Sequence, residues 1–302
     1  MSRHPFRVVG RPIPRIDGVE KVTGRARYVS DLVVPGMAHA KVLRSPYAHA
    51  RVGKVDLTRG RAHPGVLAAL CGADLTWCEP YYGPAYRDRP VLAIDIARYE
   101  GEPVAAVAAV DEATADEALD LIEVHYEPLP SVMTLEEALA PGAPLVHTGK
   151  PQAGHFADLA SLRPVAGTNV CHQFHFERGG SGRALGSADL VLDETYRFPP
   201  VQHVALEAHA AVAVWSEADG LTIWASTQNP YSVRVELAKM FGVPLARIRV
   251  VVPHLGGGFG SKTYAKLEPL AAGPARAAGR PVRLAAAGAE GFPRGGRGAA
   301  RV

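Results

Sequence analysis

A glycine-rich stretch, HLGGGFGSK at residues 254–262, is the part of the sequence whose residue types most directly suggest chemistry. Glycine lacks a Cβ atom, so a backbone built from it can approach a ligand closely. The stretch follows the apolar run IRVVVP and precedes KTYAKLEPLAA, which predicts a strand, a loop and a helix in that order. A loop of this kind is a common setting for a phosphate site at a helix N-terminus.

Two phosphate-binding motifs can be compared with this stretch. A P-loop requires G-x-x-x-x-G-K-[ST]. Aligned on Lys262 and Thr263, the sequence supplies Gly256 but places Ser261 at the second glycine. A dinucleotide fingerprint, G-x-G-x-x-G, starts at Gly256 and fails at the same serine. Phe259 adds a bulky wall beside the bare backbone, which favours a flat heterocycle over a triphosphate. A tight strand–helix turn that binds no ligand stays open as an alternative.

The first half of the chain must help to position this loop, and residues 17–131 read as one α+β domain. Residues 63–75, HPGVLAALCGADL, have the apolar spacing of a short helix. Residues 89–110 read as two strands around a Glu-Gly turn. Residues 111–121 begin with acidic residues and predict a helix, which runs into the strand IEVHYEPL.

Residues 171–286 read as a second, partial domain. NVCHQFHFERG alternates like a strand, and ADLVLDETYRFPPVQHV predicts further strands. A turn at 216–220 joins AAVAVW to LTIWAS as a hairpin. NPYSVRVELAKMFG predicts a helix with Asn229 as its N-cap, Pro230 at its first position and Gly242 at its end.

Three segments lie outside these two domains. Residues 1–16 are basic and contain proline, which predicts an extended arm. Residues 132–170 have weak periodicity and predict a partly ordered linker that wraps over a surface. Residues 287–302 are rich in glycine, alanine and arginine, so we expect a disordered tail or an altered reading frame.

Composition indicates an ordinary globular protein of 302 residues with a net charge of +3, too small to suggest nucleic acid as a partner. Cys71, Cys78 and Cys171 form no C-x-x-C pair and no zinc or iron–sulfur pattern. The odd, low cysteine count is typical of a reducing compartment, so we expect a cytoplasmic protein. The start has no signal-peptide pattern, and the small-apolar run PVAAVAAV is too short to span a membrane.

Several ordered motifs together resemble the molybdenum-binding large subunit of the xanthine dehydrogenase/aldehyde oxidase family. They are GGGFGSK, the preceding STQNPY and LEAHAAVAVW, and the N-terminal DGVEKVTGRARYVSDLVVPGMAHAKVLRSPYAHARV with YEGEPVAAVAAV. The resemblance runs from about residue 10 to 284. It implies an α+β fold in which an a/b hammerhead domain, residues 17–131, precedes the first part of a mixed α/β molybdenum-cofactor-binding domain, 171–286.

The resemblance also implies an activity and its cofactors. Family members bind a molybdenum–pterin cofactor, in bacteria usually the cytosine dinucleotide form. They hydroxylate an aldehyde or an N-heterocycle with oxygen from water. Electrons leave through two [2Fe–2S] clusters to FAD, and we expect these groups on an iron–sulfur small subunit and an FAD medium subunit. The three cysteines here cannot hold such clusters, which agrees with separate partner subunits.

By resemblance, the site residues of this chain bind the cofactor. Gln228 matches the glutamine that hydrogen-bonds an oxygen ligand of molybdenum. The backbone amides around Gly257, Gly258, Phe259 and Gly260 match the loop that approaches the pterin and the metal. A neutral amide donor can hold an oxygen without adding charge. The pterin holds the metal in this family, so we expect no metal-ligating side chain.

The sequence departs from the family pattern in three places. It reads EAH where the family has EPH, at residues 207–209, and Pro274 is expected to kink or end the helix that follows the loop. By resemblance, the general-base glutamate belongs to the family's second molybdenum domain, which we expect to be missing here, so no catalytic residue is assigned. The carboxylates nearest in sequence, Glu207, Glu236 and Glu268, are expected to be structural. The same holds for His203 and His209.

These departures predict a truncated or frame-altered large subunit that is inactive alone. Three alternatives stay open. The chain could be a non-catalytic assembly fragment that docks to the iron–sulfur and FAD subunits. It could be half of a split large subunit, with a second chain supplying the other domain. It could also be a phosphate-binding NTPase that acts through residues 256–263.

Overall fold

Strands from both halves of the chain join one sheet in the computed structural model, which describes residues 8–148, 152–154, 156, 162–199, 201–288 and 290. The helices are α1 (Gly18–Val22), α2 (Thr58–Ala62), α3 (Glu112–Asp120), α4 (Leu135–Leu139), α5 (Ser181–Gly186), α6 (Pro230–Phe241) and α7 (Glu268–Ala278). The strands are β1 (Ala38–Arg44), β2 (Ala50–Asp56), β3 (Val66–Cys71), β4 (Tyr81–Tyr82), β5 (Tyr86–Arg87), β6 (Arg89–Pro90), β7 (Ile96–Ala97), β8 (Pro103–Ala109), β9 (Glu123–Pro128), β10 (Gln152–Ala153), β11 (Ala210–Ser216), β12 (Gly220–Ala225), β13 (Ile248–Val251) and β14 (Val282–Ala285).

The large sheet has the strand order β13-β12-β11-β14-β1-β8-β3. Its two halves meet where β14 pairs in parallel with β1, with Ala38 opposite Val282 and Ala40 opposite Leu284. The sheet is mixed, because β12 and β13 are also parallel while the other neighbouring pairs are antiparallel. A mixed α/β architecture of this kind agrees with the predicted fold class.

Strand β8 explains why the sheet is covered on both faces. All of its residues are buried, as its unbroken apolar sequence requires. Ala106 and Ala108 face the core cluster that contains the alanines of α7. The alternate residues Ala105, Val107 and Ala109 face the cluster that contains Ala115 and Ala118 of α3. The small side chains let both helices lie close to the sheet, because successive strand residues point to opposite faces.

Several elements predicted from local signals are confirmed. Asp111 caps the N-terminus of α3, because its carboxylate accepts a 2.8 Å hydrogen bond from the Thr114 amide. Asn229 caps the N-terminus of α6 in the same way, and Gly242, with φ +64°, caps its C-terminus. The hairpin of β11 and β12 forms with Ser216 opposite Gly220.

The helix predicted over 63–75 is wrong, because residues 66–71 form β3, antiparallel to β8. The run VLAALC is short and bounded by glycines, which is the pattern of a buried strand rather than a helix. Gly72 ends the strand against the neighbouring loop, where a Cβ atom would lie 2.5 Å from the Ala93 carbonyl oxygen.

The strands predicted before β11 are also absent among the described residues. Residues 162–199 contain α5 and otherwise no helix or strand, and residues 201–209 contain neither. This part of the chain therefore has the alternating apolar and polar residues of a strand, but no strand among the described residues pairs with it.

Helix α7 begins later than predicted, at Glu268, and does not end at Pro274 but continues to Ala278. Every residue from 268 to 275 is buried. Packing against the sheet therefore offsets the hydrogen bond that the proline cannot donate. Gly279, with φ +63°, ends the helix instead.

The segments between and beyond the domains are described in part. In the predicted linker, Asn169 accepts from the Val146 amide and donates to the carbonyls of Ala138 and Pro144, so the described ends of this segment are tied together. Residues 8–16 of the predicted arm are exposed. Residues 1–7 of that arm and 291–302 of the predicted tail lie outside the described residues.

Candidate functional site

Two connections that follow parallel strands meet at one edge of the sheet. The first, after β12, carries Gln228 into α6. The second, after β13, carries the glycine stretch toward α7. Because the carboxyl ends of parallel neighbours lie at the same edge, the fold brings these connections together, as ligand sites in α/β sheets require. The Gln228 amide donates to the Lys262 carbonyl at 2.7 Å and joins them directly.

The side chain of Gln228 is held by the glycine loop through its oxygen. Gln228 Oε1 accepts from the Gly260 amide at 2.9 Å and from the Lys262 amide at 3.3 Å. Both partners are donors, which identifies this atom as the oxygen. The Nε2 group has no hydrogen-bond partner among the described residues and is left with two N–H donors. The loop thus orients an exposed amide group so that it presents donors.

Glycine is needed at positions of this loop for two separate physical reasons. A Cβ atom at Gly258 would lie 2.4 Å from Gln228 Oε1, and one at Gly256 would lie 2.5 Å from the Glu207 Cβ. Gly257 and Gly260 instead have φ values of +99° and +96°, which other residues rarely adopt. The close approaches are therefore to the protein's own side chains, and they fix the shape of the loop.

Phe259 lies at the tip of the loop and is 72% exposed. Its φ of +51° is unusual for a bulky residue, so the backbone holds the ring outward at a cost in strain. The ring lies against Gly257, where a Cβ atom would be 3.2 Å from it, so the loop has an exposed apolar surface in addition to the polar amide of Gln228. The structure thus brings together all the site residues predicted from the sequence: Gln228, Gly257, Gly258, Phe259 and Gly260.

Lys262 cannot serve as a phosphate-binding lysine in this conformation. Its Nζ lies 2.9 Å from Glu207 Oε2 and 2.7 Å from the Glu207 carbonyl oxygen, and its side chain is 1% exposed. The same carboxylate oxygen accepts from the Gly256 amide at 2.9 Å. The P-loop alternative is therefore disfavoured, because the Lys262 ammonium group already pairs with Glu207 inside the protein and is not available to a phosphate.

The ion pair between Glu207 and Lys262 is the feature of the site that sequence reasoning missed. The two residues lie 55 positions apart, and each alone looks like an ordinary charge. Glu207 Oε1 is buried and has no hydrogen-bond partner in the described part of the chain. A buried, half-satisfied carboxylate beside the loop is an acceptor that a bound group could use.

The other two carboxylates considered as bases are occupied elsewhere. Glu236 accepts from the Gly83 amide at 3.1 Å, and Glu268 accepts from the Lys266 amide at 2.7 Å. Burial raises the pKa of both groups. Neither hydrogen bond involves Gln228 or the glycine loop, so the geometry gives no reason to assign either as a base there.

The two histidines near the loop differ in their contacts. His209, directly before β11, has its Nε2 3.2 Å from the Ser261 carbonyl oxygen, which is hydrogen-bonding distance, and so holds the end of the loop near this strand. His203 Nδ1 is buried without a hydrogen-bond partner among the described residues. Its Nε2 lies 3.6 Å from the position of a Cβ at Gly260. His203 is thus a second polar group beside the loop with unused hydrogen-bonding capacity.

Metal-ligating side chains are dispersed over the described part of the chain, where no group of three or more His, Cys, Asp or Glu residues is arranged to hold a metal ion. Cys71, Cys78 and Cys171 form no disulfide bond with one another. Among the described residues, no helix combines the length and apolar character that crossing a bilayer requires.

Two family models match the chain. The aldehyde oxidase and xanthine dehydrogenase a/b hammerhead domain matches residues 23–130. The molybdopterin cofactor-binding domain matches residues 162–299, a range that includes the loop, Gln228 and most of the predicted tail.

Curated relatives and solved structures agree with these matches. A probable xanthine dehydrogenase subunit of Bacillus subtilis (strain 168) is 36% identical over 270 residues, which is 89% of this chain and 34% of the relative. The nicotinate dehydrogenase large molybdopterin subunit of Eubacterium barkeri is 33% identical over 85% of this chain and 56% of its own length. Quinoline 2-oxidoreductase from Pseudomonas putida 86 superposes with a TM-score of 0.78 at 33% identity, over 94% of this chain and 35% of that one.

Proposed function

Since the chain belongs to the aldehyde oxidase and xanthine dehydrogenase family of molybdenum-dependent oxidoreductases, we propose that it forms the cofactor-facing part of a molybdenum hydroxylase large subunit. The chain spans about a third of the length of the Bacillus subtilis relative. The activity we propose for the large subunit is oxidative hydroxylation of an aldehyde or an N-heterocycle, with the new oxygen taken from water.

The observation that carries this proposal is the orientation of Gln228. Its oxygen is held by two loop amides, which leaves its N–H groups to donate. A site for a pterin group with polar edges needs such donors together with acceptors. Glu207 Oε1 and His203 Nδ1 are buried beside the loop with unused capacity among the described residues. These residues therefore fit a molybdenum–pterin cofactor better than a free phosphate chain, for which no cation is available at Lys262.

In this proposal the chain's residues bind and orient. The N–H groups of Gln228 hold a cofactor oxygen without adding charge, and the loop around Gly257, Gly258 and Gly260 supplies a shaped backbone surface. Phe259 bounds the substrate side with an exposed ring. When bound, the cofactor supplies the two-electron oxidation. None of the three carboxylates considered above is placed as its base, so we expect no steady turnover by the chain alone.

The finer assignments are also proposals. We propose the cytosine dinucleotide form of the cofactor, an iron–sulfur small subunit and an FAD medium subunit, and a cytoplasmic location. The absence of a disulfide bond between Cys71, Cys78 and Cys171 supports the last two points. Thiols that stay reduced are typical of the cytosol, and three dispersed cysteines cannot hold two iron–sulfur clusters.

The test removes the side-chain N–H donors of Gln228 while keeping its side-chain oxygen as an acceptor. Gln228→Glu retains an oxygen for the amides of Gly260 and Lys262 but removes both N–H donors. Gln173→Glu makes the same charge change at an exposed position and is the matched control. The chain is purified from a host that makes the molybdenum–pterin cofactor, and its pterin and molybdenum are quantified.

We expect pterin in the wild type and in Gln173→Glu, and at least about tenfold less in Gln228→Glu, equivalent to about 1.4 kcal/mol of binding. Equal pterin content in all three proteins would contradict the proposed role of Gln228. Pterin-free wild type would contradict the proposal that this chain holds the cofactor.

A further inference from the structure

Large apolar side chains are exposed along residues 189–198, which we call the unpaired segment. Leu190, Leu192, Tyr196 and Phe198 are each at least 75% exposed. Soluble proteins expose single apolar side chains freely, but a contiguous set of this size marks an interaction site.

The apolar side chains of the unpaired segment recur at every second position. Leu190, Leu192, Tyr196 and Phe198 share one side of an extended chain, and Glu194 lies among them. The alternate positions carry Val191, Asp193, Thr195 and Arg197. This is the pattern of a strand with one buried face, and it is rich in residues that favour strands.

The backbone N–H and C=O groups of the unpaired segment also lack backbone partners among the described residues. Within the described residues, positions 189–198 make no backbone–backbone hydrogen bond and belong to no sheet. Strand pairing satisfies these groups in folded proteins, and an exposed strand-like edge is a template for pairing with more polypeptide. The segment thus has both an apolar face and a row of backbone donors and acceptors that no strand pairs.

Two findings identify the polypeptide that would pair with it. The segment lies inside the range matched by the molybdopterin cofactor-binding domain, residues 162–299. This chain covers 34% of the Bacillus subtilis relative, so about two thirds of that protein's length has no counterpart here. We take the occupant from that remaining part, because none of the strands within the described residues pairs with the segment.

We propose that the unpaired segment is a docking edge that becomes a β-strand when it pairs with polypeptide from the remaining part of the large subunit. The proposal rests on the proposed function, because it takes the partner from a large subunit. The complementary strand is apolar on the face that meets Leu190, Leu192 and Phe198. It carries a Lys or Arg opposite Glu194, because a like charge at that cross-strand position would destabilise the pair.

The test measures hydrogen exchange of the full 302-residue chain, free of cofactor, alone and mixed with a probe. The probe is the part of the Bacillus subtilis relative that this chain does not match, and it is used once circular dichroism and gel filtration have shown it to be folded and soluble. Leu192→Asp removes an apolar contact from the docking face. Val191→Asp places the same charge on the opposite face and is the matched control. Leu192 is 77% exposed, so its substitution should leave the chain folded as before.

We expect the amides of residues 189–198 to exchange freely in the chain alone and at least about tenfold more slowly with the probe. Val191→Asp keeps this protection and Leu192→Asp loses it. An absence of protection with the probe would overturn the proposal. Protection that instead rises with the concentration of the chain alone would also overturn it, because the occupant would then be a second copy.

Failure of the docking edge can be told apart from failure of the cofactor site. Protection by the probe together with a pterin-free chain would leave the docking edge standing and remove the proposed cofactor site. Pterin binding without protection by the probe would leave the proposed cofactor site standing and remove the docking edge.

Discussion

Lys262 Nζ and Glu207 Oε2 lie 2.9 Å apart, and the two side chains are only 1% and 7% exposed. The pair joins the glycine loop to the segment before β11, because the same carboxylate also accepts from the Gly256 amide. A buried pair of this kind costs desolvation of both ions, so its net contribution to stability is modest. Removal of one partner is costly, since the other charge stays buried.

We therefore expect Lys262→Met to lower the free energy of unfolding by about 3–5 kcal/mol. The measurement is urea denaturation followed by circular dichroism. Arg59→Met is the control, because Arg59 pairs with Glu123 at 3.4 Å on the surface, with side chains 67% and 73% exposed. That substitution should leave stability unchanged. Equal effects of the two substitutions would show that burial of the first pair does not matter.

The second prediction concerns Arg276, whose guanidinium lies between the rings of Trp77 and Trp215 at 4.8 and 4.6 Å from their centroids. The sandwich links the loop after β3 to β11 and α7. We expect Arg276→Met to lower the free energy of unfolding by about 1–3 kcal/mol, because two cation–π contacts are lost. Tryptophan fluorescence during urea denaturation reports both the stability and the ring environment.

Arg280→Met is the control for this prediction, since Arg280 is exposed just beyond the same helix and makes no cation–π contact with these rings among the described residues. An equal loss in the two variants would assign the effect to removal of a positive charge near the end of α7.

The third prediction is a pH dependence caused by Glu268. Burial raises the pKa of this carboxyl above its ordinary value of 4.5, so the folded state binds the proton more tightly than the unfolded state. The stabilisation that the protonated Glu268 carboxyl gives the folded state is fully present below pH 4.5, and it is lost as the pH rises through the folded-state pKa of Glu268. Glu268→Gln keeps an acceptor for the Lys266 amide but cannot ionise.

We expect the stability of Glu268→Gln, relative to the wild type, to rise as the pH increases from about 4 to about 8. Denaturation midpoints at a series of pH values provide the measurement. Glu127→Gln, at a side chain that is 64% exposed, is the control and should run parallel to the wild type. Parallel profiles for Glu268→Gln and the wild type would show that Glu268 does not titrate between these states.

Elements with strong local signals could be predicted from the sequence. Asn229, Pro230 and Gly242 specify both ends of α6, and each acts within one helical turn. The residues of the loop could be named from their motif, because the same short stretch brings them together. The alternation of residues 188–198 was equally clear, but a strand also needs a partner, which no local pattern supplies.

Features that depend on distant parts of the chain could not be predicted. The run at residues 66–71 becomes a strand because β8 pairs with it. The parallel contact between β1 and β14 joins residues at opposite ends of the sequence, and the pairing of Glu207 with Lys262 spans 55 positions. In each case the chain's three-dimensional path, rather than residue type, decides the contact.

The most direct test of the central claim, that Gln228 and the glycine loop hold a molybdenum–pterin cofactor, is an equilibrium binding titration of Gly258→Ala. A Cβ at this position would lie 2.4 Å from Gln228 Oε1, so the methyl group must displace the side chain that presents the donors. Gly182→Ala is the control, because a Cβ there has open space around it. The isolated cofactor is titrated into each purified protein and followed by pterin fluorescence.

We predict saturable binding by the wild type and by Gly182→Ala, and at least about tenfold weaker binding by Gly258→Ala, a loss of about 1.4 kcal/mol. Binding of equal strength by all three proteins would contradict the account, because the cofactor would then lie elsewhere than against this loop.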